Sequence, residues 1–581
     1  MAVKDLPGDM VMQTSTYRLT PAGGLVLAMV LVSLSGLAGQ SLSDQADELL
    51  RSRIEAAGIP PRIIVSQELI YASAALPLFY ERRGYRLVWS GEQGPLPRAE
   101  GLMATIKQAD MEGLRPRDYH LAKIQGMIEK TRPSEDGKSP GDLNQLVDLD
   151  LLLTDAFLIY GSHLLIGRIN PESIDPEWVA NRRQEDMAEI LGKALETGQI
   201  GESLRNLLPP QPGYGRLRQA LVHYRTIESQ GGWPQVPDGP KMQKGDRGRR
   251  VAVLRDRLSA SGGIAPEPGD TADLFDHGLE EAVRRLQRRH GLQDDGVVGP
   301  ASLAALNVTA EKRARQIEIN LERWRWLPQD LGETYLLLNI ANFALDVADQ
   351  ARPVMSMRAI VGKHYRRTPV FSDKITYLVL SPYWHVPPKL AVQDVLPQAR
   401  KDPNYLVSQK IRVYQGWGAD SKEINPKDID WSKVTARNFP YRFRQDPGPK
   451  NALGRVKFMF PNKFNVYLHD TPSPELFGKT ERTFSSGCIR IEKPIDLAEY
   501  LLRDDPKWGR EEILAAIGRG VEQTVQLPHP VPIHLLYWTA WADEDGSVSF
   551  RKDIYGRDRL LDQALQEKPP FVGQTQQDTG R

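Results

Sequence analysis

Cys488 is the only cysteine among 581 residues, and it directly follows Ser485, Ser486 and Gly487. A single thiol excludes an internal disulfide framework and every multi-thiolate zinc or iron–sulfur site. The sequence therefore offers two interpretations of this residue, a small buried hydrophobe or a nucleophile. Because a free thiol is only a few per cent thiolate at neutral pH, a nucleophilic cysteine needs a base or a cation beside it.

Of the ten histidines, His469 is the nearest to Cys488 in the sequence. The segment before it alternates apolar and polar side chains, which predicts a β-strand with His469 at its end, facing away from the local core. The apolar set is Phe464, Val466 and Leu468, and the polar set is Asn465, Tyr467 and His469. Taken as two isolated features, a packed cysteine and a surface histidine are favoured over a catalytic pair.

Longer motifs favour the catalytic pair. The runs HDTP from His469 and FSSGCIR through Cys488 to Arg490 resemble the signature of the L,D-transpeptidase catalytic domain, in which a histidine precedes an S/T-(H/S)-G-C-(I/V)-(R/N) segment. The resemblance covers about residues 334–558 and includes Ser486, which stands where many members have a second histidine. Its supporting segments are VGK from Val361, TPVF from Thr368, SPYWHVP from Ser381, GPKNALGR from Gly448 and PIHLLYWTAW from Pro532.

The resemblance implies acyl transfer between peptidoglycan stem peptides. Cys488 would form a thioester with a donor tetrapeptide, and an amine of a second stem would resolve it to a 3→3 cross-link. His469 would act as general base and acid, its ring oriented by a backbone carbonyl near Asp470, with a rate that depends on a group titrating near neutrality. The backbone N–H groups of Gly487 and Cys488 would hold the oxyanion. The thiol would also be a carbapenem target.

Four further side chains are candidates for substrate binding: Tyr467, Arg490, Trp384 and Ser486. Other interpretations of two of them stay open, because Tyr467 could simply pack and Arg490 could pair with Glu492 or Asp496. Neither a cofactor nor a metal is implied.

The elements that position this site predict an α+β multidomain protein. We expect a helical scaffold domain, a small three-helix peptidoglycan-binding-like domain and a mostly β catalytic domain, because helical periodicity before the midpoint gives way to short β-rich runs after Thr334. The predicted boundaries are 41–235 for the scaffold, 241–308 for the small domain, 309–330 for a connector helix, 331–560 for the catalytic domain and 561–581 for a polar tail.

The small unit at 241–308 has three short amphipathic segments, the third opened by Pro300 after a glycine turn. It resembles the peptidoglycan-binding repeat of cell-wall enzymes. The alternative is a three-helix module without a ligand. In the connector that follows, Trp324 and Trp326 are expected to pack on a neighbouring domain.

The catalytic segment contains a long insertion at about 391–447, rich in aromatic residues. Insertions of this length inside a domain are usually lids or binding loops. We expect a substrate-capping lid with Trp384 at its base, and the alternative is a structural excursion. The aromatic residues are Tyr405, Trp417, Trp431 and Tyr441.

Residues 1–40 contain an uncharged apolar stretch, which predicts a signal peptide or an uncleaved N-terminal anchor and hence a periplasmic location. With 75 Lys+Arg against 74 Asp+Glu, the net charge of +1 excludes an electrostatic nucleic-acid binder. The whole chain is similar to large multidomain periplasmic L,D-transpeptidases of Gram-negative bacteria. The expected partners are peptidoglycan stem peptides and glycan, with cell-wall synthases as further candidates, and a membrane only through an uncleaved N-terminal segment.

Two other functions remain open from the sequence. A peptidoglycan hydrolase or carboxypeptidase would use the same Cys488 and His469 but admit water as the acceptor. A non-catalytic wall-binding protein would need neither residue.

Overall fold

The computed structural model describes residues 41–58, 62–91, 94–132, 142–179, 182–265, 272–402, 404–416 and 421–569. The predicted signal peptide or anchor lies outside these residues. So do Trp417 and residues 570–581 of the predicted polar tail.

The first half of the described chain is helical, and its core surrounds the long helix α5. In the described residues, α5 is the one helix long and apolar enough to cross a membrane, and nearly all of its most apolar window is buried among its neighbours. It is therefore the central helix of this core. The elements are α1 Leu42–Glu55, β1 Ile64–Val65, β2 Glu68–Leu69, α2 Ala75–Arg82, β3 Ser90–Gly91, β4 Gly94–Pro95, α3 Pro97–Ile106, α4 Leu121–Thr131, α5 Leu143–Ile166, α6 Met187–Thr197, α7 Ile200–Arg205 and α8 Pro212–Ser229.

Three short helices follow, α9 Arg249–Ala260, α10 His277–Arg289 and α11 Pro300–Leu306. Their apolar faces meet in a small core of their own, as the helical spacing predicts. This core includes Val251, Leu254, Leu258, Leu279 and Val283.

The connector is helix α12 Ala310–Trp324. Trp324 stacks on Trp538 at 4.2 Å between ring centroids, and Trp326 meets Trp178 edge-on at 4.9 Å. Both tryptophans thus pack on the scaffold and the β domain and not on the three-helix unit. The helix joins these two large domains, because its apolar side enters a core shared with α8.

The second half is mostly β, which confirms the predicted fold class. Its elements in chain order are β5 Thr334–Asn339, β6 Ala344–Asp349, β7 Arg352–Gly362, β8 Phe371–Leu380, β9 Trp384–His385, α13 Pro388–Leu390, α14 Leu396–Lys401, α15 Tyr405–Ser408, β10 Ile411–Gln415, β11 Lys422–Ile424, β12 Tyr441–Gln445, β13 Val456–Met459, β14 Leu468–His469, β15 Thr483–Ser485, β16 Ile489–Ile491, α16 Pro494–Leu501, α17 Arg510–Gly518, β17 Gln523–Leu536, β18 Ala540–Ala542, β19 Val548–Phe550 and α18 Arg557–Gln566.

Among the described residues, nine of these strands form one sheet in the order β15-β7-β16-β14-β13-β8-β17-β5-β6. Strand β6 also pairs with β7, so the sheet closes on itself. Most pairs are antiparallel, but β14–β16, β15–β7 and β17–β5 are parallel. Strands β14 and β16 lie inside the sheet and are paired on both sides, which makes them a rigid support for a site.

The predicted insertion is a small folded unit and not an open loop. Its strands form a separate sheet in the order β11-β10-β12-β9, preceded by α13, a π-helical turn over Ala391–Val395 and α14. The insertion has its own core, which includes Val395, Leu406, Val413, Trp431 and Phe443. It therefore holds its shape independently of the main sheet.

The scaffold touches the catalytic sheet next to the loop after β7. Trp178 forms a parallel bridge with Val370. The guanidinium of Arg557, wholly buried, donates from Nε to Asp175 at 2.8 Å and from Nη1 to the Thr368 carbonyl at 3.3 Å. One buried side chain thus ties the scaffold to the β domain.

Candidate active site

Strand β14 lies between β13 and β16, and their register places a set of polar side chains on one face. His469 is opposite Lys457 on one side and Arg490 on the other. Because side chains alternate along a strand, Tyr467 lies on the same face as His469, and Cys488 lies on the same face as Arg490. Leu468 and Ile489 are fully buried on the opposite face.

The strand itself is shorter than the alternation predicts. It comprises Leu468–His469 only, because Asn465 has a left-handed backbone with φ of +54° that interrupts the extended run. His469 lies on the face opposite Leu468, and its exposed fraction is only 4%. The alternative interpretation of a surface histidine is therefore wrong.

A network of hydrogen bonds fixes the loop that carries Cys488. Thr368 Oγ1 donates to the Gly487 carbonyl at 2.8 Å and accepts from the Gly362 N–H at 2.9 Å. The Ser485 hydroxyl donates to the Cys488 carbonyl. Gly487 has φ of +117°, a conformation that side-chain-bearing residues avoid. The turn therefore holds the thiol at the start of β16.

Cys488 is half-buried, and its Sγ–H points towards the Asn465 carbonyl at 3.9 Å. Burial raises the pKa of the thiol, and hydrogen bonding from Tyr467 and the charges of Lys457 and Arg490 offset only part of that rise. The resting group is therefore a neutral thiol.

His469 donates from Nδ1 to the Asp470 carbonyl at 2.6 Å. Because a carbonyl only accepts, Nδ1 carries the proton and Nε2 is left as the basic nitrogen. Burial, together with the nearby charge of Arg490, lowers the pKa of His469 to about 3. The resting histidine is a neutral imidazole in one tautomer.

Asp470 contributes its carbonyl and not its carboxylate. The carboxylate accepts from the Arg455 backbone N–H at 3.0 Å and from its Nε at 2.8 Å. Gly454, with φ of +64°, lies so close that a Cβ there would collide with Asp470. This turn presses the Asp470 backbone into place and so sets the direction of the His469 ring.

The N–H assigned to the oxyanion is not free at Gly487. It donates to Ser485 Oγ at 3.2 Å, because the tight turn directs it back onto that hydroxyl. Among the described residues, the Cys488 N–H has no hydrogen-bond partner. In the resting structure the Cys488 N–H is thus a free hydrogen-bond donor beside the thiol. The Gly487 N–H can hold the oxyanion, as predicted, only after its hydrogen bond to Ser485 Oγ has broken.

Arg490 does not pair with either acidic residue considered from the sequence. Glu492 binds Arg358, and Asp496 binds Arg510. The Nε of Arg490 is buried without a hydrogen-bond partner among the described residues. Its positive charge is therefore available to a ligand on the face shared with Cys488.

Tyr467 packs under a second cation, Lys457, whose Nζ lies 4.0 Å from the centroid of the ring. Burial raises the pKa of the Tyr467 phenol and lowers the pKa of the Lys457 ammonium. The phenol thus stays protonated and acts as a hydrogen-bond donor to the sulfur.

Ser486 connects the nucleophile loop to the insertion through Arg366. Arg366 donates to Ser486 Oγ at 2.8 Å, to Gln393 at 2.8 Å and to Asp394 at 2.9 Å. The last two acceptors lie in the π-helical turn of the insertion. The insertion is thereby attached within two residues of Cys488.

Trp384 lies at the base of the insertion, as predicted. It pairs with Gln445 across β9 and β12, and its ring packs against the core of the insertion. The structure gives it no contact with Cys488 or His469. Its arrangement supports the insertion, and a role in binding substrate stays a prediction.

Three residues of the site were not predicted from the sequence: Thr368, Lys457 and Asn465. Thr368 belonged to the segment TPVF, but its partner Gly487 is more than a hundred residues away in the chain. Lys457 carried a usable signal, because it is the polar residue between buried Val456 and Phe458. The Asn465 carbonyl carried no signal, since a main-chain acceptor is not specified by residue type.

Within the described residues, no group of three or more His, Cys, Asp or Glu side chains could hold a metal ion.

Residues 333–513 match the family model of the L,D-transpeptidase catalytic domain. Residues 247–306 match the model named "Putative peptidoglycan binding domain", and residues 74–221 match that of a scaffold domain. The chain thus contains three segments that match separate domain models, and the last of them resembles the L,D-transpeptidase catalytic domain.

A protein of Haemophilus influenzae named "Putative L,D-transpeptidase" is 33% identical over 250 residues, which are 43% of this chain and 49% of the relative. The chain therefore spans about half the length of this relative. An N-acetylmuramoyl-L-alanine amidase of Mycobacterium tuberculosis is 36% identical over 80 residues, 13% of this chain and 20% of the relative.

Two solved structures are also similar. The L,D-transpeptidase of Xylanimonas cellulosilytica has 15% identity and a TM-score of 0.17, covering 52% of this chain and 99% of its own. The L,D-transpeptidase of Stackebrandtia nassauensis has 12% identity and a TM-score of 0.20, covering 52% and 96%.

Proposed function

We propose that this protein is an L,D-transpeptidase that joins peptidoglycan stem peptides through a thioester on Cys488. One observation carries the proposal: a neutral thiol and a neutral imidazole, with Nδ1 bound to a carbonyl, share one face of adjacent strands beside two cations. The catalytic-domain match supports the same reaction class.

In the first step, His469 Nε2 takes the Cys488 proton as the sulfur attacks the carbonyl carbon at the L-centre of the third residue of a donor tetrapeptide. The amide C–N bond breaks, and the terminal D-alanine leaves with the proton returned by His469. In the second step, an amine of another stem attacks the thioester and gives its proton to His469. A new C–N bond forms, the C–S bond breaks, and the proton returns to sulfur.

The resting protonation states suit this sequence. A basic nitrogen with a low pKa is a weak base in the empty site, but the thiolate formed beside it stabilises the imidazolium and so raises its basicity. A neutral thiol is also poorly reactive towards oxidants, since susceptibility follows thiolate character. The arrangement thus delays activation until a substrate is bound.

The cations around Cys488 support an anionic peptide as substrate. Lys457 and Arg490 lie on the face of the thiol. The insertion also supplies Arg442 and Arg444, each with a buried Nε that lacks a hydrogen-bond partner in the described structure. Guanidinium groups bind carboxylates strongly, and stem peptides carry carboxylates. The insertion, held to the nucleophile loop by Arg366, would cap the bound donor.

The cellular setting is part of the proposal. An exported enzyme would meet its polymer in the periplasm, where it would contribute to cell-wall organisation and cell shape. The three-helix unit would bind the wall, and cell-wall synthases would be partners. These statements rest on the apolar N-terminal stretch and on the domain match at 247–306.

Product analysis tests the reaction and separates it from its nearest rival. The full chain and Cys488→Ala are incubated with tetrapeptide-containing wall fragments, and the products are sequenced by mass spectrometry. We expect 3→3 dimers and an equal amount of free D-alanine from the unaltered chain and neither from the variant. Tripeptides without dimers would instead identify a carboxypeptidase, and no product at all would identify a wall-binding protein.

A further inference from the structure

A cavity of about 260 Å³ lies where four parts of the chain meet, and Cys488 does not line it. Helix α8 and the segment after it form one wall, helices α9 and α10 of the three-helix unit form another, and α12 and the β18–β19 hairpin complete it. No residue of the proposed active site lines it.

The lining is strongly cationic. Arg257, Arg285, Arg289 and Arg313 line the cavity, and Asp545 is the one acidic residue of the described lining. Four cations held together with a single carboxylate are costly, and a bound anion would offset part of that cost.

Arg257 provides a second and independent observation. Its side chain is only 3% exposed, its Nε donates to the Leu306 carbonyl at 2.8 Å, and its Nη1 has no hydrogen-bond partner among the described residues. Its guanidinium lies 3.7 Å from the centroid of the Trp233 ring. Stacking thus fixes the guanidinium in place, and one donor is left unused at the cavity.

A second cation is held in the same way. Arg313 lies 4.4 Å over the Phe550 ring, and its Nη1 and Nη2 donate to Gln316 and to the Ala305 carbonyl. None of these acceptors is a carboxylate. Burial and the charge of Arg313 lower the pKa of the adjoining His290 to about 3, so this ring adds a neutral, flat surface.

We propose that this junction cavity binds a carboxylate-bearing ligand, with Arg257 and Arg289 holding the carboxylate and the flat rings of Trp233 and Phe550 facing the rest of the ligand. Arginine forks match carboxylates with two hydrogen bonds. The volume suits a single sugar or the end of a peptide. The site is independent of the reaction at Cys488.

Occupancy of this site would join the three-helix unit to the β domain. The two parts are already in contact, since Arg551 donates from Nη1 to the Arg289 carbonyl at 2.7 Å and the His290 ring lies 5.7 Å from the Phe550 ring. A ligand bound between Arg257 and the hairpin adds a further bridge. The cavity thus senses whether a wall-type carboxylate is present at the junction.

Isothermal titration calorimetry of the full chain tests the proposal with two probes, one with a carboxylate on a sugar and one with a carboxylate on a peptide. N-acetylmuramic acid presents a carboxylate on a sugar, and D-alanyl-D-alanine presents one on a peptide. The controls lacking the carboxylate are N-acetylglucosamine and D-alanyl-D-alanine amide, and inorganic phosphate tests for a general anion site. Binding of either carboxylate probe, without its control, is expected.

Arg289→Gln should raise the dissociation constant about tenfold, the usual effect of losing a charge-assisted hydrogen bond. Arg288→Gln is the matched control, because this residue is on the same helix, pairs with Asp294 and does not line the cavity. Arg257→Gln should abolish binding. If Arg257→Gln does not fold, the dissociation constant of Arg289→Gln is the test of the proposal. No binding by either carboxylate, phosphate binding alone, or equal affinity in Arg288→Gln and Arg289→Gln would overturn the proposal.

Discussion

Cys488 and His469 are both neutral at rest, and the reason differs for each. Burial raises the pKa of the thiol more than its hydrogen bonds lower it, whereas burial beside the Arg490 cation lowers the pKa of the imidazole. An ion pair formed in advance would not fit these surroundings. Activity therefore depends on proton transfer during attack, and the orientation of the ring by the Asp470 carbonyl is as important as its basicity.

Replacement of His469 tests its role as the base. His469→Ala should slow acylation of Cys488 by a carbapenem about 10² to 10⁴-fold, the contribution of a positioned general base. Mass spectrometry of samples quenched at successive times measures this rate as the growth of the carbapenem adduct on Cys488. His529→Ala, at an exposed histidine outside the site, is the control and should leave the rate unchanged. A rate unaltered in His469→Ala would assign the base elsewhere.

The low pKa of His469 also predicts how stability depends on pH. The folded state holds the imidazole neutral down to about pH 3, whereas the unfolded chain protonates it near its ordinary pKa of about 6.5. This group's contribution is present above pH 6.5 and is lost as the pH falls towards 3. Urea unfolding at pH 7.5 and 4.5 should therefore show a smaller loss of stability in His469→Gln than in the unaltered chain.

The same pKa corrects the expectation of a rate that depends on a group titrating near neutrality. With His469 neutral throughout, acylation should not fall between pH 7 and 5, and it should rise only above neutrality as the thiol ionises. A pH profile of carbapenem acylation measures this directly. A sigmoid loss centred near pH 6.5 would contradict the burial of the imidazole.

At the scale of elements, sequence patterns predicted one part of the site well and another not at all. Alternation around Leu468 placed Tyr467 and His469 on one face, because period-two patterning is a local property. The strand length was wrong, since the left-handed backbone of Asn465 is not encoded by apolar periodicity. The hydrogen bond from Thr368 to Gly487 could not be predicted from the sequence, because it depends on how β7, β15 and β16 pack together.

The insertion was predicted from its length and aromatic content but not from its fold. The insertion was expected to be a substrate-capping lid or a structural excursion, and its aromatic Trp431 is buried in the core of the insertion. Composition alone does not distinguish a ring that packs inside a unit from a ring that faces a ligand.

The Arg366 bridge predicts how the insertion affects turnover. Asp394→Asn should weaken its attachment beside Ser486 and lower kcat/KM for tetrapeptide donors about tenfold, mainly through KM, because one charge-assisted hydrogen bond is lost. Reaction of Cys488 with a small alkylating reagent should be unchanged. Asp428→Asn, elsewhere in the insertion, is the control, and equal effects from the two variants would show that Arg366 does not act as a bridge.

At the scale of the whole molecule, the scaffold, the three-helix unit and the β domain are joined through α12 and the hairpin. The three-helix unit contributes no side chain to the surroundings of Cys488 described above. Its contact with the β domain passes through Arg551 and the cationic junction cavity. Its effect on the reaction is therefore expected to depend on the size of the substrate.

Deletion of residues 247–306 should weaken activity on intact sacculi and leave turnover of a small soluble tetrapeptide donor nearly unchanged. The unit raises the local concentration of polymer and adds no reacting group. The melting temperature should fall, because Phe550 and Trp233 lose the helices that cover them. A folded variant with equal losses on both substrates would show that the unit acts as structure only.

The buried Arg557 has a consequence for the order in which this protein can mature. Synthesis proceeds from the N-terminus, so Asp175 and Thr368 are made long before the helix that begins at Arg557. Until that helix arrives, the Asp175 carboxylate and the Thr368 carbonyl lack the guanidinium that joins them, and Thr368 is the residue that holds the Gly487 carbonyl. A nascent chain thus displays Cys488 before its loop is fixed, and the thiol gains its final surroundings only when translation has passed residue 557.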